Sequence, residues 1–391
     1  MAYDVTSWFK NELMSGSLQP IRKFYIGGVD YTSRVMRWPS IKNSWNNIRS
    51  KSITVDLAND DNALSFIHDS KVNLGLTCYI KFGLTHPSSG NEMVTLYSGT
   101  MDKVYYSRGS CKITLLDKFK QLGERVMGSK DEPVSLSNVL PSDIAWAAVT
   151  SYGGLSSVQS TTNPDINWSS FQDWAAVFSG DNVIMGTNIA DKKVSEVLKV
   201  LSTQTRSAIY IEEDRLNFKR FSLADSAENT FNNDTIEEVT LGIDDEDIIN
   251  RQFVYANYDT TSSDWAIKVF EQDSLSIEDY GLREQIEKND SIWYVNSNSA
   301  LNLAQRIITT AGEPYDRIEI TSPVAVGLVQ IGDTIQLIDE FFSGSVDGNY
   351  RIMEYSFDAE NATVNVTVDR SQYGSPFTLD YSVLDGTDIL V

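Results

Sequence analysis

Four segments in the first third of the chain alternate apolar and polar residues, and this pattern constrains the fold more than any other feature. They are KSITVDL (51–57), TCYIKFGL (77–84), MVTLYSGTMDKVYY (93–106) and CKITLLD (111–117). Apolar residues at every second position line one face of a strand, so each segment predicts a strand with one buried face. Turn-forming sequences separate them, including NDDN (59–62), HPSSGN (86–91) and SRGS (107–110). The region predicts an antiparallel β domain.

The second half of the chain combines the same alternation with helical spacing. Asp191 is predicted to cap a helix with apolar residues at Val194, Val197, Leu198 and Leu201, and a hairpin follows in SAIYI and LNFKRF across EEDR. A second helix, SALNLAQRIITTAG (299–312), is predicted to stop at a left-handed Gly312. Strands are predicted on both sides of it, in RQFVYANY, DWAIKVFEQD, SIWYV, DRIEITS, DTIQLID and ATVNVTVDR. The fold class predicted is therefore mainly β with a few helices.

Residues 129–190 show no sustained period and are rich in Ser, Asn, Thr and Gly. A helix is predicted from Pro141, since proline suits a first helical turn, and the rest is predicted to be a long insertion with short helices. Trp146, Trp168 and Trp174 lie along it. Large aromatic residues serve cores and protein interfaces more often than carbohydrate, so packing is favoured over sugar stacking.

Composition excludes several classes of protein. With 54 acidic and 32 basic residues the net charge is −22, which disfavours binding to nucleic acid phosphates or anionic lipid. No segment approaches the roughly 20 apolar residues that cross a bilayer, and the N-terminus does not resemble a signal peptide, so a soluble chain made in the cytoplasm, with no membrane insertion, is expected. Cys78 and Cys111 fall in predicted strands and are expected to be buried thiols, not a disulfide.

No residue pattern predicts a catalytic, cofactor-binding or metal-binding residue. His68 and His86 are the two histidines, and neither belongs to a zinc-ligand spacing or accompanies a Gly-x-Ser-x-Gly motif. The acidic runs NDDNA (59–63) and DDEDIIN (244–250) do not fit an EF-hand loop and are interpreted as solvated turns. A carboxylate pair for glycoside hydrolysis stays open, because its separation is spatial. The chain is predicted not to be an enzyme, with such a carboxylate pair as the open alternative.

The stretch FYIGGVDYTSRV (24–35) raises a choice between a phosphate-binding loop and a turn. A phosphate loop needs a helix directly after the glycines, and the residues after Gly28 look like another strand that ends at Pro39. Gly27 and Gly28 are therefore predicted to turn the chain so that KFYI (23–26) pairs with YTSRVMRW (31–38), with Val29 and Asp30 near the tip.

The order of several segments resembles the tail hub (baseplate hub) proteins of tailed bacteriophages. FYIGGVDYTSRV, ITVDLANDDNALSF and LYSGTMDKVYYSRGSCKITLLDKFKQL follow one another as in the N-terminal part of that family. DSLSIEDYGLREQ (273–285), the 299–312 helix, QIGDTIQLID and GNYRIMEYSFDAENATVNVTVDR (348–370) follow in the family's later order. The resemblance covers about two thirds of the chain and fails over 129–190.

The resemblance implies a structural function in the virion, after assembly in the host cytoplasm. Such hubs form a ring from subunits with two tube-like β domains each, so that a trimer presents six similar domains to a six-fold tail tube. The implied partners are further copies of the chain (a trimer, or a hexamer), the tail tube or distal tail protein, tip or fibre proteins, the tape measure protein, and DNA in passage. A six-fold distal tail protein and a glycan-binding or glycan-hydrolysing β protein used in host recognition are the alternatives.

The predicted domain organisation combines the patterns with the resemblance. The N-terminal arm, with Trp8, Phe9, Leu13 and Met14 at near-helical spacing, is expected either to dock on a neighbouring subunit or to pack on its own domain. The predicted segments are the arm (1–20), a first tube-like antiparallel β-barrel or sandwich domain (21–128), an irregular Trp- and Ser-rich insertion (129–190), a helix with a β-hairpin (191–250), and a second tube-like β-rich domain with one helix and a C-terminal tail (251–391). The two tube-like regions, 21–128 and 251–370, show no clear sequence repeat.

Overall fold

The computed structural model is mostly β, with 47% of residues in strands that form curled half-barrel sheets and 24% in helices. This confirms the predicted fold class. The structure describes residues 6–14, 20–45, 48, 51–64, 74–86, 88, 90–212, 214–220, 227, 229–244, 248–312, 315–323, 329–338 and 348–370.

Twenty-four strands are described. In chain order they are β1 (Ile21–Ile26), β2 (Val29–Asp30), β3 (Val35–Arg37), β4 (Ser40–Ser44), β5 (Ser52–Ala58), β6 (Thr77–His86), β7 (Gly90–Ser107), β8 (Ser110–Leu116), β9 (Val126–Met127), β10 (Val134–Val139), β11 (Met185–Ile189), β12 (Lys192–Lys193), β13 (Ser207–Glu212), β14 (Arg215–Arg220), β15 (Asn229–Phe231), β16 (Glu238–Asp244), β17 (Arg251–Asp259), β18 (Asp264–Gln272), β19 (Glu284–Glu287), β20 (Ile292–Tyr294), β21 (Tyr315–Pro323), β22 (Thr334–Leu337), β23 (Gly348–Asp358) and β24 (Thr363–Arg370).

The helices of the described residues are fewer than the strands. They are α1 (Ser7–Met14), α2 (Phe119–Glu124), α3 (Pro141–Trp146, continued as a π-helix over Ala147–Tyr152), α4 (Trp168–Gly180), α5 (Val194–Thr205), α6 (Ser274–Tyr280) and α7 (Ser297–Ala311). The start at Pro141 confirms the helix predicted there. Within the described part of the chain, every helix is too short or too polar to cross a lipid bilayer.

The first β sheet contains the strands predicted from the N-terminal alternation. Its order is β2-β1-β6-β7-β8-β5-β3. Alternate residues such as Val55, Leu57, Ile113 and Leu115 are fully or almost fully buried in its core, which explains the period of two. Helix α1 packs on this same sheet, because Phe9 is buried in its core. Of the two expectations for the arm, the structure shows packing on its own domain.

The predicted hairpin partner of β1 is wrong. Gly27 and Gly28 do turn the chain, with φ of +55° and +83°, but β1 pairs with only the two residues of β2 and, on its other side, with β6. A 3₁₀ turn over Thr32–Arg34 then breaks the strand, and β3 pairs with β5. The Asp30 side chain stabilises this break by accepting a hydrogen bond of 2.8 Å from the Thr32 amide.

The second β sheet is built mainly from the last quarter of the chain. Its order is β15-β22-β23-β24-β21-β16, with the short β15 parallel to β22 and the remaining pairs antiparallel. Its core includes the fully buried Tyr350, Ile335, Val364 and Val368. The strands predicted in 316–322, 333–339 and 362–370 are confirmed, and β16 joins them from an earlier part of the chain.

A third hydrophobic core is formed mostly by residues that lie along the chain between the first sheet and the last strands of the second. It gathers helices α2 to α5 and α7 with the faces of the β13–β14 hairpin and the β18-β17-β19 sheet. Its buried residues come from four of the predicted segments, for example Phe119 from 21–128, Trp174 from 129–190, Leu201 from 191–250 and Leu303 from 251–391. The division of the chain into five domains stays a prediction.

Two predicted helix termini are wrong. The N-cap of α5 is Lys193, whose amide donates to the Glu196 side chain, while Asp191 lies two residues upstream at a left-handed φ of +52°. Gly312 ends α7 with a right-handed φ of −71°. A Cβ at Gly312 would lie 2.7 Å from the Ile308 carbonyl oxygen, so close packing, not a positive φ, accounts for glycine at this position.

Cys78 and Cys111 are free and fully buried, as predicted. Burial raises the pKa of the Cys78 thiol to about 12 and that of Cys111 to about 11. Because the thiolate is the nucleophile, we expect alkylation at pH 8 to be at least ~100-fold slower in the native protein than in urea. Mass spectrometry after a timed iodoacetamide pulse measures this ratio. Equal rates in the two states would contradict the burial of both thiols.

Candidate functional site

Strand β4, which follows β3 of the first sheet along the chain, is added to the edge of the second sheet, and it was not predicted from the sequence. Residues Ser40–Ser44 of β4 pair antiparallel with Asp358–Glu354 of β23 and occupy the half of that edge that β22 leaves open. Side chains reinforce the pairing, because the hydroxyls of Ser40 and Ser356 lie 2.9 Å apart and Ser44 donates to Glu354 at 3.1 Å. One backbone ladder therefore couples the first sheet region to the second.

The far end of β23 also enters the core of the first sheet. Phe357 and Ala359 are buried there, and the Phe357 ring meets the Phe82 ring edge to face at 5.3 Å. The turn after β23 also forms hydrogen bonds with residues of the first sheet region. The Trp38 amide donates to the Glu360 carboxylate at 3.0 Å, and Arg22 donates to the Glu360 carbonyl at 2.9 Å. The two sheets share hydrophobic packing as well as hydrogen bonds.

A small polar cavity lies at this junction. Its lining includes Lys51, Asn43, Asp117, Glu212 and Tyr355, and its volume for a water-sized molecule is ≈ 20 Å³. Lys51 donates to the Asn43 side chain, and burial lowers the pKa of Lys51 against the opposing effect of Asp117 and Glu212. A space of this size holds about one water molecule, so this cavity cannot admit an organic substrate.

Ion pairs tie the β13–β14 hairpin to its surroundings. Lys219 of β14 pairs at 2.7 Å with Asp333, a fully buried carboxylate beside the second sheet. At the hairpin turn, Asp214 lies 3.2 Å from Lys118, which also pairs with Asp165 at 2.9 Å. These contacts link the hairpin to the chain segments beside both sheets.

The glycine turn has the geometry of a structural turn. Lys23 pairs with Asp30 at 2.8 Å across it. Burial of Asp30 opposes ionisation, but hydrogen bonds from Lys23 and Thr32 outweigh this effect and lower the pKa of Asp30 to about 2. Both charged groups on this turn are therefore already paired within the chain.

The acidic runs behave in the same way where they are described. Asp61 pairs with Arg34 at 2.6 Å and accepts from the Ala63 amide, and Asn59 accepts from the Leu64 amide. Among the described residues, no three His, Cys, Asp or Glu side chains are grouped to hold a metal ion. His68 and residues 245–247 of DDEDIIN lie outside the described residues; His86 ends β6, and its side chain is not described.

The three tryptophans pack together, as predicted. The ring centroids of Trp146 and Trp168 are 5.4 Å apart, and the Phe171 ring packs against both of these rings and against Trp174. Trp174 is only 1% exposed and donates through Nε1 to the Ser207 hydroxyl at 2.8 Å. A ring buried in this way has no free face for a sugar.

Two surfaces of the described residues carry side chains that face away from the hydrophobic cores. The first, which we name the lysine–tyrosine face, is the outer side of the first sheet and contains Lys23, Tyr25, Tyr79, Lys81, Lys103, Tyr105 and Lys112. The Lys81 ammonium lies 6.0 Å and 5.9 Å from the ring centroids of Tyr25 and Tyr79. Asp30 pairs with Lys23 and Asp56 with Lys112, so the positive charge of this face comes from Lys81 and Lys103.

The second surface, which we name the acidic–apolar face, is the open side of the β18-β17-β19 sheet. Phe253 is paired with Phe270 on one side and Ile286 on the other, which makes an apolar row across three strands. The opposite side of β17, with Val254 and Ala256, is buried against α7. These strands were predicted from the sequence and the face was not, although the alternation places Phe253 and Phe270 at positions that face away from the core.

Comparison with known proteins finds the fold and no sequence relative. The chain matches no protein-family model and no curated protein. A tail protein from Neisseria meningitidis MC58 has a TM-score of 0.59 at 13% identity, covering 90% of this chain and 97% of that one. A 43 kDa tail protein of prophage MuSo2 from Shewanella oneidensis has a TM-score of 0.56 at 15% identity, covering 90% and 99%. This chain shares the fold of these two proteins over nearly their whole length.

Proposed function

We propose that this chain, which has the fold of phage tail proteins, is itself a structural protein of a phage tail: the hub that forms a ring at the distal end of the tail tube. One observation carries the proposal. Two curled β sheets are fused in tandem within one chain, through the β4–β23 ladder and the burial of Phe357 in the first sheet core. Such a subunit places two sheet modules at a fixed distance and angle.

Fixed tandem modules explain how a ring could adapt one symmetry to another. Three copies would present six sheet modules to a six-fold tube and three identical surfaces to the tip below it. Cyclic assembly of this type uses repeated contacts between copies, so exposed surfaces of the sheets would form these contacts. In this proposal the function is mechanical, and the chain performs no catalysis. The water-sized junction cavity and the internally paired charges described above support that view.

The proposed location is the tail tip of a virion, reached after assembly in the host cytoplasm. The proposed neighbours are the tail tube or distal tail protein, tip or fibre proteins and the tape measure protein, with DNA only in passage. A glycan-binding function is disfavoured by the burial of Trp174 and the mutual packing of Trp146 and Trp168. We propose that this function requires no catalytic, cofactor-binding or metal-binding residue.

We expect the purified full-length chain to form a closed trimeric ring with an axial channel. Mass photometry gives the number of subunits, and cryo-electron microscopy gives the ring and the charge of its wall. The wall is expected to be net negative, since lysines and arginines facing DNA would hold it by phosphate contacts. A six-membered ring would instead favour the distal tail protein, and a monomer at all concentrations tested, or a basic wall, would contradict the hub proposal.

A further inference from the structure

Exposed apolar side chains are concentrated on the acidic–apolar face and in the segment that connects its strands β18 and β19. Among the described residues thirteen large apolar side chains are exposed, and five of them lie within residues 270–286: Phe270, Leu275, Tyr280, Leu282 and Ile286. Phe270 is 54% exposed although its ring already contacts Phe253 at 5.5 Å. Grouped apolar exposure of this kind marks a surface that another molecule covers.

The charges around this apolar row define what can cover it. On the open side of the sheet the charged side chains pair with one another, Arg251 with Glu284 at 3.5 Å and Lys268 with Asp264 at 3.7 Å. The exposed Glu278 and Asp279 of α6, next to Tyr280 in the chain, add further negative charge. Because like charges across an interface are repelled, the partner surface must combine apolar or aromatic groups with positive charge.

The lysine–tyrosine face of the same chain has that chemistry. Tyr105 is 57% exposed, Lys103 is exposed two residues before it on β7, and the Lys112 side chain on β8 is 54% exposed. Tyr105 and Lys112 are direct cross-strand neighbours, so an aromatic ring and an ammonium are presented side by side. Tyrosine is also among the residues enriched at protein interfaces.

We propose that the acidic–apolar face of one copy docks on the lysine–tyrosine face of the next copy. The two faces are different surfaces of one chain, so the contact is heterologous, and repetition of a heterologous contact produces a ring when the rotation closes. The inference rests on the proposed ring-forming function and assigns its contact surfaces. It also places the lysines between copies and away from the wall of the channel.

The test uses one variant for each face. Phe270→Ser/Ile286→Ser removes two exposed apolar side chains of the acidic–apolar face, and Lys103→Glu/Tyr105→Ser changes two exposed side chains of the lysine–tyrosine face. Each variant alone is expected to weaken ring formation about 30-fold or more, the range for loss of central interface anchors. The matched control is Val158→Ser/Lys130→Glu, at an exposed valine and an exposed lysine outside both faces, and it should form rings as the wild type does.

Mixing the two variants distinguishes a heterologous contact from any other. Each variant keeps one intact face, so a 1:1 mixture is expected to give a heterodimer and nothing larger. The mixture needs a higher concentration than the wild type, because ring closure no longer adds avidity. Sedimentation velocity with one variant fluorescently labelled measures the heterodimer. Rings from either variant alone, or a mixture of folded variants that stays monomeric, would overturn the inference.

Two further measurements keep the result decisive. Circular dichroism melting identifies a variant that fails to fold. In that case Glu278→Lys/Asp279→Lys and Lys103→Glu replace the pairs above, because they change exposed side chains only. They are expected to weaken ring formation to the same extent. Fluorescence anisotropy with a duplex DNA probe tests the other occupant of a lysine-rich face. Intact rings that lose DNA binding on Lys103→Glu would assign the face to DNA and overturn the inference, whereas a wild type that forms no ring would refute the proposed function first.

Discussion

Replacing Phe357 by alanine is expected to lower the free energy of unfolding by about 3–5 kcal/mol, the usual range for a buried phenylalanine. Phe357 is 2% exposed and belongs by its strand to the second sheet, but its ring packs in the core of the first sheet against Phe82. The substitution therefore leaves a cavity in one sheet region and weakens its connection to the other. Urea denaturation followed by circular dichroism measures the loss.

Phe270→Ala is the matched control for this prediction. It makes the same chemical change at a side chain that is 54% exposed, so its effect on unfolding is expected to stay below about 1 kcal/mol. If Phe357→Ala cost no more than this control, the shared core between the two sheets would be refuted. In the ring proposal Phe357→Ala is also expected to reduce assembly, because the two modules of each subunit would no longer be held at one angle.

Replacing Trp174 by alanine is expected to have a comparable effect on the third core. The side chain is 1% exposed, contacts Phe171, Phe178 and Phe218, and donates a hydrogen bond to Ser207. Loss of the ring is expected to cost about 3–5 kcal/mol. It also leaves the Ser207 hydroxyl without this donor. Urea denaturation followed by fluorescence of the remaining tryptophans measures the change.

Trp174→Phe is the informative companion. It keeps an aromatic ring in the cluster and removes the Nε1 donor, so a smaller loss, below about 3 kcal/mol, is expected. If both substitutions left stability unchanged and abolished binding to a glycan, the tryptophan cluster would be a carbohydrate site, and the packing function assigned to it would be wrong.

Sequence patterns predicted most elements of the fold where one face of an element is buried. The strands in 51–57, 77–84, 93–106 and 111–117 were confirmed, because a strand with one buried face requires an apolar residue at every second position. The helix with Val194, Leu198 and Leu201 was confirmed for the same reason at a different period. The caps at Asp191 and Gly312 were wrong, since helix termini depend on which neighbouring groups are close enough to bond.

The candidate surfaces were harder to predict than the elements on which they lie. The pairing of β3 with β5 instead of β1 depends on a 3₁₀ turn that three residues create. Phe270 and Tyr105 were visible as apolar residues in strands, but only the paired registers show that one lies beside Phe253 and the other beside Lys112.

The amino-acid sequence by itself determined that this chain is mainly β, where most of its strands and helices lie, and that its thiols are buried, because each of these properties depends on the local alternation of apolar and polar residues. Only the tertiary structure decided that β4 and β23, more than 300 residues apart, join two sheets into one tandem unit. Backbone hydrogen bonds form that contact. Every residue type except proline has a backbone N–H donor, and every residue has a carbonyl acceptor, so the side-chain pattern does not predict which strands pair.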